Sequence, residues 1–164
     1  MKRFEIKQKF WSLAGKFDIK DDDGQLAYQV QGSFLRWPKE FTISDSQGRL
    51  VSHIKHHFRL LFPRFTVTFA DGRQIIIQKK WSFLKARYDI SDFGLKVAGD
   101  IWNMNFRLLD QGREVANIHQ QWLKIPSTYH LEIADDQLTD LVISLVIAID
   151  YVKSLESRNS SASS

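Results

Sequence analysis

Apolar and polar residues alternate along most of the chain, in short runs that end on Asp and Gly. Phe17-x-Ile19-x-Asp21 recurs as Phe41-x-Ile43-x-Asp45 and as Phe106-x-Leu108-x-Asp110, and more loosely as Phe65-x-Val67-x-Phe69-x-Asp71. Tyr88-x-Ile90-x-Asp92 and Tyr129-x-Leu131-x-Ile133-x-Asp135 follow the same scheme. A period of two is the strand signature, because successive side chains on a strand point to opposite faces. A Gly stands close behind the Asp, at Gly24, Gly48, Gly72, Gly94 or Gly112. Asp bonds its own backbone and Gly accepts positive φ, so each pair marks a tight turn. A second apolar series follows: Val30, Ile54, Ile77 and Ile118, each with an aromatic four residues later, at Phe34, Phe58, Trp81 and Trp122. Each unit therefore predicts strand, tight turn, strand: a β-hairpin.

Read this way, the pattern predicts twelve strands in meander order, over 3–8, 17–21, 26–32, 41–44, 50–56, 65–69, 74–79, 87–91, 95–99, 104–109, 114–120 and 128–134. An open sheet of that size curls, so closure into a barrel is the expected solution. The pattern then breaks. Between Asp140 and Asp150 only Ser144 is polar. At 100° per residue the apolar side chains cover nearly the whole circumference, which predicts a helix over 136–156 buried on all sides. Asp135 and Asp136 are its candidate N-caps. The run is too short for a bilayer, which needs about 20 apolar residues, whereas a wide barrel has a lumen to fill. The expected fold is all-β with one helix: a twelve-stranded meander barrel enclosing its hydrophobic C-terminal helix, as a single domain over 1–156. The Ser-rich tail 157–164 is expected to be disordered.

Composition narrows the chemistry. The chain has no Cys, which excludes disulfides, thiol nucleophiles and thiolate metal sites. Met1 to Lys7 alternates and carries charge, unlike the unbroken apolar core of a signal peptide, so the expected location is cytoplasmic, peripheral on the membrane at most. The net charge of +4 is unevenly spread: residues 49–87 hold nine Lys and Arg against Asp71 alone, with His53, His56 and His57 among them. Such a surface attracts phosphates, on lipid or on nucleic acid. The candidate headgroup-binding residues are Lys55, Arg59, Arg64, Lys79, Lys80, Lys85 and Arg87. Lys55 and Lys79 occupy nearly equivalent slots in successive hairpins, which points to one merged patch.

Other constellations favour structure over chemistry. On a strand His53 and His57 share a face about 13 Å apart and His56 points the other way, so no single metal reaches all three. Asp21-Asp22-Asp23-Gly24 lacks the oxygen spacing of a calcium loop and reads as a turn. Ser82-x-x-Lys85 stands in a β context, without the helix start and companion motifs of acyl-enzyme chemistry. Trp37-Pro38-Lys39 and Phe62-Pro63-Arg64 recur at equivalent slots between hairpins. They suit closure of one end of the barrel, or contact with a membrane interface. Asp150, inside the apolar helix, needs hydrogen-bond donors or a place at the barrel mouth. No catalytic group, metal site or cofactor is expected.

Two stretches carry a family resemblance: Gly99-Asp100-Ile101-Trp102-Asn103-Met104-Asn105-Phe106, continuing to Asp110, Gly112, Val115-Ala116 and Ile118, and Ala148-Ile149-Asp150 in the terminal helix. With the repeated hairpins they resemble the LURP-one-related family of the tubby-like C-terminal superfamily, in its bacterial form. The resemblance implies a twelve-stranded barrel around a central helix. Tubby domains bind phosphoinositide headgroups at a basic pocket, and phospholipid scramblases, similar in fold, act on membranes. No lipid-binding residue of tubby carries over to a given position here, and the Cys-rich region of scramblases has no counterpart. Three functions are expected in this order. The first is a non-enzymatic module for anionic headgroups at a membrane surface. The second is a nucleic-acid-binding domain, which needs aromatics beside its basic residues for stacking. The third is a structural or protein-partner domain. An enzyme ranks last, because a helix-filled lumen leaves no deep pocket.

Overall fold

The Asp–Gly turns set the strand order. The computed structural model describes residues 1–7, 15–33, 40–57, 64–79, 86–121 and 128–161. Its strands are β1 (Lys2–Lys7), β2 (Lys16–Lys20), β3 (Leu26–Gly32), β4 (Glu40–Asp45), β5 (Leu50–His57), β6 (Arg64–Phe69), β7 (Gln74–Lys79), β8 (Ala86–Asp89), β9 (Lys96–Asp100), β10 (Asn105–Asp110), β11 (Arg113–Gln121) and β12 (Thr128–Ile133), followed by the helix α1 (Thr139–Ser161). The pairs β2–β3, β4–β5, β6–β7 and β10–β11 are antiparallel hairpins. Their Asp residues act as anticipated. Asp45 Oδ1 accepts the amides of Gln47 and Arg49, each at 2.9 Å, with Gly48 at φ +79°. Asp21 Oδ1 accepts those of Asp23 at 3.1 Å and Gln25 at 2.9 Å. The Asp21–Asp23 run is thus a turn, its first carboxylate committed to backbone amides.

The strands form two antiparallel sheets, one of order β1-β12-β11-β10-β9 and one running β2 to β8 in sequence, and they do not close into the expected barrel. At one seam, among the described residues, β1 and β2 meet at an isolated bridge, Phe4 with Asp21. Beyond it a cleft of about 630 Å³ opens, lined by Glu5, Lys7, Asp18 and Lys20. Charged residues along strand edges are a recognised obstacle to pairing. At the other seam the Tyr88–Gly94 unit departs from its predicted hairpin. Ser91–Phe93 forms a 3-10 turn, and Asp92 Oδ2 accepts the amide of Gln74 at 2.9 Å, in the neighbouring hairpin. Phe93 packs edge-on to Phe69 at 5.0 Å, beneath the Arg73 guanidinium, 4.3 Å from its ring centre. These contacts draw the segment onto the β6–β7 turn, and the chain crosses from one sheet to the other.

The two sheets enclose α1. Asp135 caps the 3-10 turn Asp136–Leu138 that leads into the helix, accepting the Gln137 amide at 3.0 Å. Every residue from Leu141 to Val152 is buried, in one apolar cluster with Ile19, Ile54, Ile75, Phe106, Ile118 and Leu131 from both sheets. Each such side chain contributes about 1.5–3 kcal/mol on burial, so the sheets depend on the helix as much as it depends on them. The helix continues to Ser161, into the tail expected to be disordered. No Gly or Pro interrupts 157–161, so nothing there breaks the hydrogen-bond ladder. Residues 162–164 lie outside the described residues. Among the described residues no helix is long and apolar enough to cross a membrane.

Candidate anion-binding surface

Antiparallel hairpins place their turns at one end of the molecule and the links between hairpins at the other. The basic residues of 49–87 divide between these ends. Arg49 and Arg73 lie at the turn end, where each serves a turn carboxylate: Arg49 Nε is 2.7 Å from Asp45 Oδ2 and Arg73 Nε is 2.6 Å from Asp71 Oδ2. The backbone amides of Arg49 and Arg73, aided by their guanidinium groups, hold these two carboxyls below the usual carboxylate range.

The opposite end is marked by the last strand pairings: Lys7 with Thr128, His57 with Arg64, Lys79 with Ala86 and Gln121 with Thr128. Here the ladder builds one row across four strands, with His57 opposite Arg64, Arg64 opposite Gln78 and Gln78 opposite Arg87. Directly paired residues share a face. The neighbours Phe65 and Ile77 point into the core, so the row lies on the outer face. The next outer row holds Glu40, Lys55 and Thr66. Lys55 Nζ stands 3.3 Å from Glu40 Oε1, and His53 Nε2 3.4 Å from Glu40 Oε2. The hydrogen bond from Lys55 keeps the Glu40 carboxyl below its ordinary range. Arg64 is half-buried, and its Nε is buried with no hydrogen-bond partner among the described residues.

Two expected site residues, Lys55 and Arg64, stand on the outer face at one end, and position 87, in β8, pairs with Gln78. Lys79 ends β7 and pairs with Ala86. Arg59, Lys80 and Lys85 lie outside the described residues. The three histidines separate as their spacing required: His56 is buried and stacks on Phe65 with ring centres 4.4 Å apart, while His53 lies on the outer face beside Glu40.

The buried end of α1 adds a polar cluster at this same end. Asp150 is buried and accepts a hydrogen bond from the Tyr129 hydroxyl. Burial, with the Asp150 charge beside it, raises the Tyr129 pKa far above its ordinary value, so the phenol stays a donor. Lys153, one turn on, donates to Gln120 Oε1 at 3.4 Å and stands 5.9 Å from the Tyr129 ring centre. Burial lowers the Lys153 pKa, and Asp150 and Asp100 oppose that shift. Sequence reasoning singled out Asp150 and passed over Lys153. The available signal was the three-residue helical spacing between them.

A model of the LURP-one-related family matches residues 2–150. An uncharacterized protein of Bacillus subtilis (strain 168), YxjI, is 28% identical over 147 residues, spanning 90% of this chain and 91% of that protein. The X-ray structure of a protein from Arabidopsis thaliana is similar in fold, with a TM-score of 0.56 and 17% identity, covering 93% of this chain and 91% of that one.

Proposed function

This chain belongs to the LURP-one-related family and has its tubby-like fold, and from that footing we propose that it is a non-enzymatic module that binds anionic lipid headgroups at a membrane surface. The observation that carries this reading is Arg64. Its Nε–H has no acceptor among the described residues, in a row that also holds His57 and position 87. A buried donor left unpaired costs about 1–3 kcal/mol. Arg64 itself is half-buried, and its planar guanidinium fork suits phosphate geometry. Each Lys or Arg near an anionic membrane contributes about 1 kcal/mol, screened over about 10 Å at 0.1 M salt. A handful of such residues gives measurable, salt-sensitive attachment, consistent with a cytoplasmic protein held peripherally.

Co-sedimentation with phosphatidylcholine vesicles, with and without phosphatidylserine, tests the reading. At low salt the protein pellets with the anionic vesicles and not with the neutral ones. Lys55→Glu with Arg87→Glu abolishes pelleting without lowering the melting temperature. Arg64→Lys, which keeps the charge but loses the fork, weakens it. A wild-type protein that ignores anionic vesicles yet shifts single-stranded nucleic acid is a nucleic-acid binder. One that does neither points to a structural or protein-partner domain.

A further inference from the structure

The edges of β1 and β2 that meet at the open seam carry charges of alternating sign, and one register matches them all. We infer that this seam is a zipper, which stands open here and closes in the register that the Phe4–Asp21 bridge begins. The bridge is antiparallel. Its register continues with Glu5 opposite Lys20, Ile6 opposite Ile19 and Lys7 opposite Asp18, and in the other direction with Arg3 opposite Asp22, where β2 has given way to its turn. Ile6 and Ile19 are each 2% exposed and belong to the core, while Arg3, Glu5, Lys7, Asp18, Lys20 and Asp22 are exposed. Every outer pair then joins opposite charges, the favourable case for residues directly across two strands. A slip of one residue sets Ile6 against Asp18 or Lys20 and turns an apolar face outward. A slip of two sets Glu5 against Asp18 and Lys7 against Lys16, or Glu5 against Asp22 and Lys7 against Lys20, and all four of these pairs are like-charged. The two edges fit each other in one register and reject its neighbours.

The open form leaves these charges waiting. They line the cleft of about 630 Å³ at the seam, and among the described residues Lys7, Asp18 and Lys20 have no ion-pair partner. Arg3 and Glu5 are held instead by the strand on their other side: Arg3 Nε lies 3.4 Å from Glu132 Oε1, and Glu5 Oε1 lies 3.3 Å from His130 Nδ1. Closure passes Glu5 from His130 to Lys20 and gives Lys7 and Asp18 each other. It also pairs backbone groups that an edge strand leaves open. Charges on an edge turn away foreign strands, and here the same charges recognise their own neighbour. The zipped form joins the two sheets into one, running from β9 through β12, β1 and β2 to β8. It is not a closed barrel, because β8 and β9 stay at its two free ends. The seam is thus a gate in the wall around α1, and competition between His130 and Lys20 for Glu5 sets how often it opens.

The chain has no Cys, so introduced thiols are the only ones present and report the seam directly. Residues directly opposite on antiparallel strands have Cα atoms about 4.5–5.5 Å apart, inside the range a disulfide spans. Glu5→Cys with Lys20→Cys is expected to form an intramolecular disulfide when the folded protein is held in a buffer of reduced and oxidised glutathione, read by intact mass and non-reducing electrophoresis. Glu5→Cys with Asp18→Cys, the slipped pair, stays reduced. Adding Lys7→Glu to the first variant sets like charges across the seam and slows the crosslink about two- to fivefold. Adding Asp18→Lys as well restores the rate. Hydrogen exchange of the wild type decides the matter if the thiol variants misfold: the seam-facing amides of 5–7 and 18–20 are expected to be protected, and free exchange there overturns the zipper. A first variant that folds and stays reduced means a seam fixed open. Equal crosslinking of both pairs means a seam without register. Disulfide-linked dimers in place of the intramolecular bond mean that the cleft takes the strand of a second copy. Each of these three outcomes overturns the inference.

Discussion

Ser144, the lone polar residue in the apolar run of α1, shares a 2.7 Å hydroxyl–hydroxyl hydrogen bond with Ser52 of β5, and both residues are fully buried. The bond locks the rotation of the helix against the seven-stranded sheet. Ser144→Ala leaves the Ser52 hydroxyl buried without this partner and is expected to cost about 1–3 kcal/mol. Removing both hydroxyls costs less than the sum of the single changes, since no polar atom is stranded. Urea denaturation of the two single variants and the double variant measures this. Strict additivity removes the coupling.

Because α1 is covered by both sheets, it belongs to the core and is no appendage. Ile147 is 1% exposed, and Ile147→Asp, which buries an unpaired charge, is expected to cost on the order of 3–5 kcal/mol. A chain ending at Gln137 loses the centre of its apolar cluster and should not fold. Circular dichroism with a thermal melt is the check, and a soluble β-rich truncation with a cooperative transition would falsify the central role of the helix.

His56 makes stability depend on pH. Burial holds its imidazole below the ordinary value, with the neighbouring His57 adding to the shift. In the unfolded chain the same group titrates near its usual pKa of about 6.5. Below that pH the unfolded chain binds a proton that the folded one resists, so stability is full above about pH 6.5 and declines as pH falls through it. The turn carboxylates Asp45 and Asp71 are shifted down and lose their contribution only at lower pH, as it falls through the carboxylate range. Melting temperatures followed across the histidine range should therefore slope for the wild type and flatten for His56→Phe, which keeps the stacked ring. Equal slopes would show that another group sets the dependence.

Gly99 lies within β9 at φ +106°, and a Cβ built there falls 2.7 Å from the Asn105 carbonyl oxygen. Gly48 also has positive φ, +79°, but faces open space. A residue forced into such a conformation costs about 1–3 kcal/mol. Gly99→Ala carries that strain and a backbone clash, so it should lower the melting temperature more than Gly48→Ala does. A similar loss at both sites means that β9 shifts to make room.

The strands were legible because alternation is local: each Phe-x-Ile-x-Asp run reports its own two faces whatever lies across the sheet. The hairpins were legible because Asp21, Asp45 and Asp71 bond the amides of their own turns. The burial of α1 could be read from Leu141–Ile149 alone, since a helix without a polar face has nowhere else to go. What escaped the sequence depends on groups far apart in the chain. The Asp92 carboxylate shows the same motif as the others, and its choice of the Gln74 amide over its own turn exists only once β7 is in place. Whether the basic segment 49–87 forms one patch was not legible, because charge adds along a chain without direction. Each antiparallel reversal instead sends successive charges to opposite ends, and so Arg49 and Arg73 meet turn carboxylates while Lys55 and Arg64 stand at the far end. Local propensity writes the elements, but pairing energy between distant residues places them, and a binding surface is a matter of placement.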